Sequence, residues 1–221
     1  MTVRSRSKSF DNGVFNGGTG MNLVIVGEGC KINTRRNFML ASGATCVVSN
    51  GTLDVAGELF FNCETDGGTL RLEGDRPRVV VNGECRSTSE PRQLTASGGL
   101  VFDIPQGGYQ SAPVVIQSAT SSFGGTDAQA CKPLHVNVVM KSGAYRNPKT
   151  AVYPLLSTAG TINTARQTFG ELKRPQTSAF VYADAADKPV WQTRDELLPT
   201  AAPKLFGVRL GGAGGLVIFL N

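Results

Sequence analysis

The stretch that decides the fold is residues 23–27, Leu-Val-Ile-Val-Gly, a short apolar run that ends at a glycine. Three runs of the same kind follow it, at residues 38–43, 53–57 and 70–74. An amphipathic helix needs apolar residues at positions i, i+3, i+4 and i+7, and a glycine or a proline interrupts each stretch that begins such a pattern. Short alternating runs predict strands instead.

The runs recur at nearly regular intervals. Their closing glycines, at positions 27, 43, 57 and 74, lie 16, 14 and 17 residues apart. A second short apolar run follows each glycine, at Cys30–Ile32, Cys46–Val48, Leu59–Asn62 and Val79–Val81. A unit of about 15 residues is too short for a strand-helix-strand unit of about 30, but it fits part or all of one coil of a solenoid, in which stacking buries the apolar face. We therefore predict an all-β protein with a right-handed parallel β-helix (β-solenoid), and an antiparallel β-sandwich is the alternative.

The predicted domain organisation is simple. Residues 1–20 are expected to be an N-terminal extension, and residues 21–221 a single solenoid-like domain with regular coils at 21–86 and coils with longer loops at 94–221. The C-terminal β region is expected to be more irregular. Its further strands are predicted at residues 100–104, 113–116, 134–140, 152–156, 178–182, 205–210 and 216–220, with loops at 87–93 and 118–133 and a short helix at 194–198 between Thr193 and Pro199.

The composition narrows the classes of partner. The chain has 27 glycines in 221 residues, 40% hydrophobic and 18% charged residues, so it has enough apolar side chain for a core and many turns. The formal net charge is +5, but Lys and Arg are scattered, and a nucleic-acid partner is not expected. No apolar stretch reaches the length of a membrane span, and residues 1–20 lack the apolar centre of a signal peptide.

The cysteines favour a structural role. They stand at positions 30, 46, 63, 85 and 131 without a Cys-x-x-Cys pair, and His135 is the single histidine, so no metal site is predicted. We predict buried thiols and leave one or two disulfides open. Cys30 and Cys85 follow a Gly-Glu-Gly and a Gly-Glu turn, which predicts equivalent positions in successive coils; chance recurrence in a glycine-rich chain is the alternative.

Acidic residues are the natural place to look for catalysis. Six of them lie close together in the sequence: Asp54, Glu58, Glu64, Asp66, Glu73 and Asp75. A glycosidase needs two carboxyl groups that flank a groove, and a calcium-dependent lyase needs several around one ion. Most of the six adjoin glycine turns, where acidic side chains are ordinarily solvated, so no catalytic residue is assigned. Nucleophile elbows, phosphate loops and dinucleotide motifs are missing, and no cofactor is predicted.

Three single residues receive structural interpretations. His135 falls on the outward phase of an alternating strand and is expected to be exposed or hydrogen-bonded rather than a ligand or base. Trp191 is expected to anchor a loop on the core. Asn50-Gly51-Thr52 matches a glycosylation acceptor, but a turn is the favoured interpretation.

Several later segments share the same pattern of short apolar runs, most of them next to a glycine. They are residues 98–104 (Gly-Gly-Leu-Val-Phe-Asp-Ile), 153–157 (Tyr-Pro-Leu-Leu-Ser), 160–162 (Gly-Thr-Ile), 207–210 (Gly-Val-Arg-Leu) and 215–220 (Gly-Leu-Val-Ile-Phe-Leu). Together with residues 21–85, the chain resembles the passenger domains of bacterial autotransporters and related surface β-helix proteins. The resemblance implies an extracellular shaft that displays loops or packs against copies of itself.

The leading hypothesis is a non-enzymatic structural or surface-display protein at the cell surface or outside the cell, self-associating or adhesive, with a carbohydrate or host surface as ligand. Exposed backbone at end coils would favour end-to-end or lateral assembly unless the ends are capped. A polysaccharide-active lyase or hydrolase on the same scaffold is the alternative. An antiparallel sandwich subunit of a shell or filament is a third class.

Overall fold

The computed structural model describes residues 2–4, 7–10, 15–17, 20–41, 43–61, 67–87, 99–125, 133–140, 152–169 and 179–209. Within these ranges the chain forms strands and two single-turn 3₁₀ helices, Thr164–Arg166 and Arg194–Glu196, with no α-helix. The protein is therefore all-β, as the short alternating runs predict.

Most strands are three to five residues long. In chain order they are β1 (Thr2–Arg4), β2 (Ser7–Phe10), β3 (Phe15–Gly17), β4 (Asn22–Val26), β5 (Lys31–Thr34), β6 (Phe38–Leu40), β7 (Thr45–Ser49), β8 (Thr52–Val55), β9 (Leu59–Phe61), β10 (Thr69–Glu73), β11 (Arg78–Val81), β12 (Cys85–Ser87), β13 (Gly99–Ile104), β14 (Val114–Ile116), β15 (Ser122–Phe123), β16 (Leu134–Met140), β17 (Val152–Thr158), β18 (Thr161–Ile162), β19 (Gln167–Phe169), β20 (Ala179–Ala183), β21 (Gln192–Thr193) and β22 (Leu205–Arg209).

The strands form three sheets, and through most of the chain each sheet takes every third strand. Sheet A has the order β1-β4-β7-β10-β13-β16-β19, sheet B begins β2-β5-β8-β11-β14-β17, and sheet C has the order β3-β6-β9-β12-β15-β18. Three consecutive strands, one from each sheet, are called a unit below. The strand pairs among residues 21–87 are parallel, so an antiparallel sandwich does not describe this part of the chain.

The true repeat is longer than the spacing of the glycines. In sheet A, Asn22 lies opposite Thr45, and Thr45 lies opposite Thr69, which are offsets of 23 and 24 residues. The four runs that looked equivalent in sequence belong in turn to sheets A, C, B and A. The glycine spacing of 14 to 17 residues therefore spans two strands of a three-strand unit, because each strand ends at its own turn.

Two further sequence expectations differ from the structure. Residues 1–20, expected as an extension, contribute β1, β2 and β3, which pair in parallel with β4, β5 and β6. The predicted equivalence of Cys30 and Cys85 is wrong, because Cys30 precedes β5 in sheet B whereas Cys85 begins β12 in sheet C. A Gly-Glu turn occurs at more than one kind of corner, so it does not define the register.

The inner faces of the three sheets form one hydrophobic core. Alternate residues of the strands are fully buried, as in Leu23 and Ile25 of β4 or Leu70 and Leu72 of β10. Equivalent positions of neighbouring units stack, so that Leu23 lies opposite Cys46, and Cys46 lies opposite Leu70. Burial of one such aliphatic side chain stabilises the fold by about 1.5–3 kcal/mol.

Close stacking explains two of the glycines. A Cβ on Gly57 would lie 2.9 Å from the backbone carbon of Arg36 and would also strike the Asn37 side chain. A Cβ on Gly83 would lie 2.8 Å from the carbonyl oxygen of Gly57 in the neighbouring unit. Both corners approach their neighbours too closely for any side chain.

The last strands of sheet B pair in the antiparallel direction. In sheet B, β17 pairs antiparallel with β22, which pairs antiparallel with β20, and β20 pairs antiparallel with β21. At this end of the core, the ring of Phe206 packs against four other rings. Their centroids lie 5.3–6.1 Å from that of Phe206, and they belong to Phe123, Phe169, Phe180 and Tyr182.

Several local expectations are confirmed here. The ring of Trp191 lies over Gly207 of β22, because a Cβ built on Gly207 would lie 3.2 Å from the ring. The tryptophan therefore anchors its loop on the sheet. The expected short helix is the 3₁₀ turn that begins after Thr193, whose N–H donates to Glu196 Oε2 at 2.8 Å. That hydrogen bond is the main reason that the pKa of Glu196 is lowered.

The later predicted strands also have counterparts in β13, β14, β16, β17, β20 and β22. The predicted loop at 118–133 contains β15. The predicted strand at 216–220 and the loop at 87–93, apart from Ser87, lie outside the described residues. No helix in the described ranges has the length and apolar character needed to cross a membrane.

Candidate functional site: two arginine-bridged carboxylate pairs

The first cluster, called the sheet C cluster, consists of Glu58, Glu84 and Arg86. Leu59 pairs with Cys85, so the glutamates that precede them occupy the same position in neighbouring units. The Leu59 N–H donates to the carbonyl oxygen of Glu84 at 2.9 Å, which fixes this alignment. Two like charges are thereby stacked, an arrangement that needs a cation between them.

Arg86 supplies that cation. Its Nη2 lies 3.0 Å from Glu58 Oε2, and its Nε lies 3.0 Å from Glu84 Oε2. The Arg86 side chain is only 15% exposed, and its guanidinium carbon lies 5.9 Å from the centre of the Phe60 ring. The Ser122 hydroxyl donates to Glu84 Oε1 at 3.3 Å. The sheet C cluster therefore ties together side chains of three consecutive units.

The second cluster, called the sheet A cluster, consists of Arg71, Glu73 and Asp103 and has the same design. Leu72 pairs with Phe102, which brings Glu73 and Asp103 to neighbouring positions on β10 and β13. Arg71 Nε donates to Asp103 Oδ2 at 3.0 Å and lies 2.8 Å from Glu73 Oε1. The Asp103 side chain is 4% exposed, so this carboxylate depends on Arg71 for compensation of its charge.

The electrostatics of the sheet A cluster follow from these contacts. The hydrogen bond to Asp103 is the largest influence on Arg71 and raises its pKa, with desolvation acting in the opposite direction. Tyr109 lies nearby and donates its hydroxyl to the carbonyl oxygen of Leu72 at 3.1 Å. Burial raises the pKa of Tyr109, and the charges of Asp103 and Glu73 raise it further.

The six carboxylates from the sequence are spread over the molecule. Asp54 lies on sheet B with its Oδ2 2.8 Å from Lys31 Nζ, whereas Glu58 and Glu73 belong to the sheet C and sheet A clusters. Asp75 is exposed in a turn. Glu64 and Asp66 lie outside the described residues. Three of the four described candidates thus form ion pairs with basic side chains. These ion pairs link neighbouring strands.

Glu84, Arg86, Arg71 and Asp103 were not among the candidate site residues predicted from the sequence. A signal for the first two is present, because Gly57-Glu58 and Gly83-Glu84 recur with an offset of 26 residues, close to the true repeat. Asp103 follows a longer insertion between β12 and β13, and no comparable spacing marks it.

The described cysteines are buried, as predicted. Cys46 lies in sheet A and Cys85 in sheet C, and both are free thiols, while Cys30 is buried at a corner. Burial raises the pKa of Cys46 to about 12 and also raises that of Cys85. Cys63 and Cys131 lie outside the described residues.

Metal ligation finds no support in the part of the chain that the structure describes. No group of three or more His, Cys, Asp or Glu side chains there could hold a metal ion. His135 is half-buried on the outward phase of β16, as the alternation predicts.

A comparison of this chain with protein-family models, curated proteins and solved structures finds no match.

Proposed function

We propose that this protein is a non-enzymatic structural or surface-display protein whose three sheets are the faces of a right-handed parallel β-helix. The observation that carries the proposal is the sheet order from β1 to β19, in which each sheet takes every third strand while the inner faces share one core. Right-handed crossovers are expected because parallel strands of one sheet are connected in that sense in about 98% of cases. Such a stack makes a stiff shaft.

The two ion clusters support this role. Each one bridges a stacked pair of carboxylates with one arginine, and its side chains belong to neighbouring units. Interfaces between repeats supply much of the stability of a stacked protein. A polysaccharide-active enzyme is less well supported, because the described candidate carboxylates lie on different sheets and most are engaged with basic residues.

Self-association is part of the proposal, with the outer face of sheet A as the contact surface. Val24, Val47, Arg71, Val101 and Asn137 lie side by side in one outward row of this face, and three of these five residues are apolar. The three valines are only half-buried by the chain itself. A second copy of the protein would cover them.

The resemblance to autotransporter passenger domains favours a place outside the cell or on its surface. There the shaft would display loops and bind a carbohydrate or a host surface.

Size-exclusion chromatography combined with electron microscopy tests the proposal. We expect regular assemblies that are lost when Val47→Lys and Val101→Lys are combined. Val115→Lys is the matched control, since Val115 is a half-buried outward valine on sheet B. A protein that stays monomeric at every concentration and degrades an acidic polysaccharide would overturn both parts of the proposal.

A further inference from the structure

The corner at Asn50-Gly51 has unusual backbone geometry. Asn50 has a φ of 54°, and it is the one non-glycine residue with positive φ among the described residues. It is exposed, whereas Gly51 is buried. The chain contains four Asn-Gly pairs, and two of them, at 50–51 and 82–83, lie in corners whose side chains the structure describes.

The Asn50 side-chain oxygen accepts a hydrogen bond from the neighbouring unit. The backbone N–H of Arg76, in the next unit, donates to Asn50 Oδ1 at 2.9 Å. A donor on this oxygen favours attack on the carbonyl carbon, because it stabilises the negative charge that develops on the oxygen. The N–H of Gly51 makes no hydrogen bond to any described residue, so no acceptor in the described ranges holds the nitrogen that would attack.

The Asn82-Gly83 corner is arranged in the opposite way. The Gly83 N–H donates to the carbonyl oxygen of Gly57 at 2.8 Å. Asn82 Nδ2 donates to the carbonyl oxygen of Val55 at 3.4 Å. The Gly83 nitrogen, which would attack, and the Asn82 amide nitrogen, which would leave, are therefore both hydrogen-bonded to the neighbouring unit. Asn82 thus serves as an internal control for Asn50 in the same chain.

We propose that Asn50 is a site of spontaneous deamidation in the folded protein, with water as the co-reactant. The Gly51 nitrogen bonds to Asn50 Cγ and gives up its proton to solvent, the bond from Cγ to Nδ2 breaks, and ammonia leaves with the proton it needs. Water then opens the resulting five-membered imide at one of its two carbonyls. The products are aspartate and isoaspartate, and no oxidant or reductant takes part.

The modification changes the contact between two units. The Asn50 side chain lies over Gly74, where a Cβ would stand 2.6 Å from Asn50 Cγ. Aspartate places a negative charge beside the backbone of Arg76 without altering the chain path. Isoaspartate adds a methylene to the backbone at a corner where Gly51 is packed on Ile25, since a Cβ on Gly51 would lie 2.7 Å from Ile25 Cγ2. The isoaspartate form should therefore loosen the contact between these units.

Peptide mapping by mass spectrometry tests this inference on the intact purified protein. The protein is incubated in mildly alkaline buffer, both folded and unfolded in urea, and deamidation is followed at positions 50 and 82. We expect Asn50 in the folded protein to react faster than Asn82 by about tenfold, since Asn82 must give up two hydrogen bonds. In urea the two rates should converge. The variant Asn50→Gln confirms the peptide assignment, and Asn50→Asp supplies the unfolding free energy of the aspartate product.

Equal rates at both positions in the folded protein would overturn the inference, as would faster reaction at Asn82. So would an unreactive Asn50 in folded protein whose urea-unfolded form reacts at that position. Each of these results is independent of the proposed structural role.

Discussion

Replacement of Arg86 by methionine tests how strongly the sheet C cluster stabilises the stack. Methionine keeps much of the side-chain volume over Phe60 but removes the guanidinium. Glu58 and Glu84 then face each other across neighbouring units without the cation that lies 3.0 Å from each. The perturbation thus removes one charge and leaves two like charges stacked.

The magnitude follows from the exposure of the three side chains. Arg86 is 15% exposed, Glu58 32% and Glu84 19%, so the cluster lies between a surface pair and a buried one. Exposed pairs contribute about 0–1 kcal/mol, and loss of one partner from a buried pair costs about 3–5 kcal/mol. We expect Arg86→Met to lower the free energy of unfolding by about 2 kcal/mol, which is a shift of about 1 M in the urea midpoint.

Two controls make the urea titration decisive. Arg76→Met removes the pair with Glu28, whose side chains are 58% and 83% exposed, and it should change the midpoint little. Glu84→Gln in the Arg86→Met background removes the like-charge stack and should recover about half of the loss. A loss for Arg86→Met no larger than that for Arg76→Met, or no recovery with Glu84→Gln, would refute the reasoning.

Three more predictions concern the core and its corners. Gly57→Ala should lower the free energy of unfolding by about 1–3 kcal/mol in the same titration, because the new Cβ strikes Asn37 and the backbone beside it. Cys46, whose pKa is raised to about 12 by burial, should react with a thiol reagent at pH 8 only after unfolding, as followed by absorbance. Burial raises the pKa values of Tyr109 and Tyr182, so their folded forms resist ionisation. Stability should therefore stay level below the ordinary tyrosine value of about 10 and fall as pH rises above it, which an alkaline series of unfolding titrations measures.

Each of these predictions has a clear contrary result. A Gly57→Ala protein as stable as the parent would mean that the corners of neighbouring units are further apart than the structure shows. Rapid modification of Cys46 in the native protein would place that thiol outside the core. An unchanged unfolding free energy well above pH 10 would show that neither tyrosine is protected by burial.

Local features were predictable from the sequence where a single strand carried the signal. The alternation in residues 23–27 identifies a strand with one buried face, and the outward position of His135 follows from the same period of two. Strand direction within residues 21–85 also agrees with the prediction, since neighbouring strands within each sheet pair in parallel.

The repeat length was harder to predict, because it is a property of three sheets together. Glycines follow strands in all three sheets. The number of residues between successive glycines is therefore the distance between corners of different sheets, and it differs from the number of residues between two stacked positions of one sheet. The ion clusters depend on that distance, and Glu58 and Glu84 become neighbours only at an offset of 26 residues. The antiparallel turn of sheet B at β22 was also not predicted, because pairing direction depends on how the chain returns and not on the residues of the strand.

The most direct test of the stacked parallel arrangement is a set of interstrand nuclear Overhauser contacts in the isotope-labelled protein. The structure predicts that Leu23 contacts Cys46 and that Cys46 contacts Leu70. Along each pair of strands, the residue numbers of the two contacting residues should increase together, as parallel pairing requires. Contacts in which one number rises while the other falls, anywhere between residues 21 and 87, would contradict the arrangement on which the proposed shaft depends.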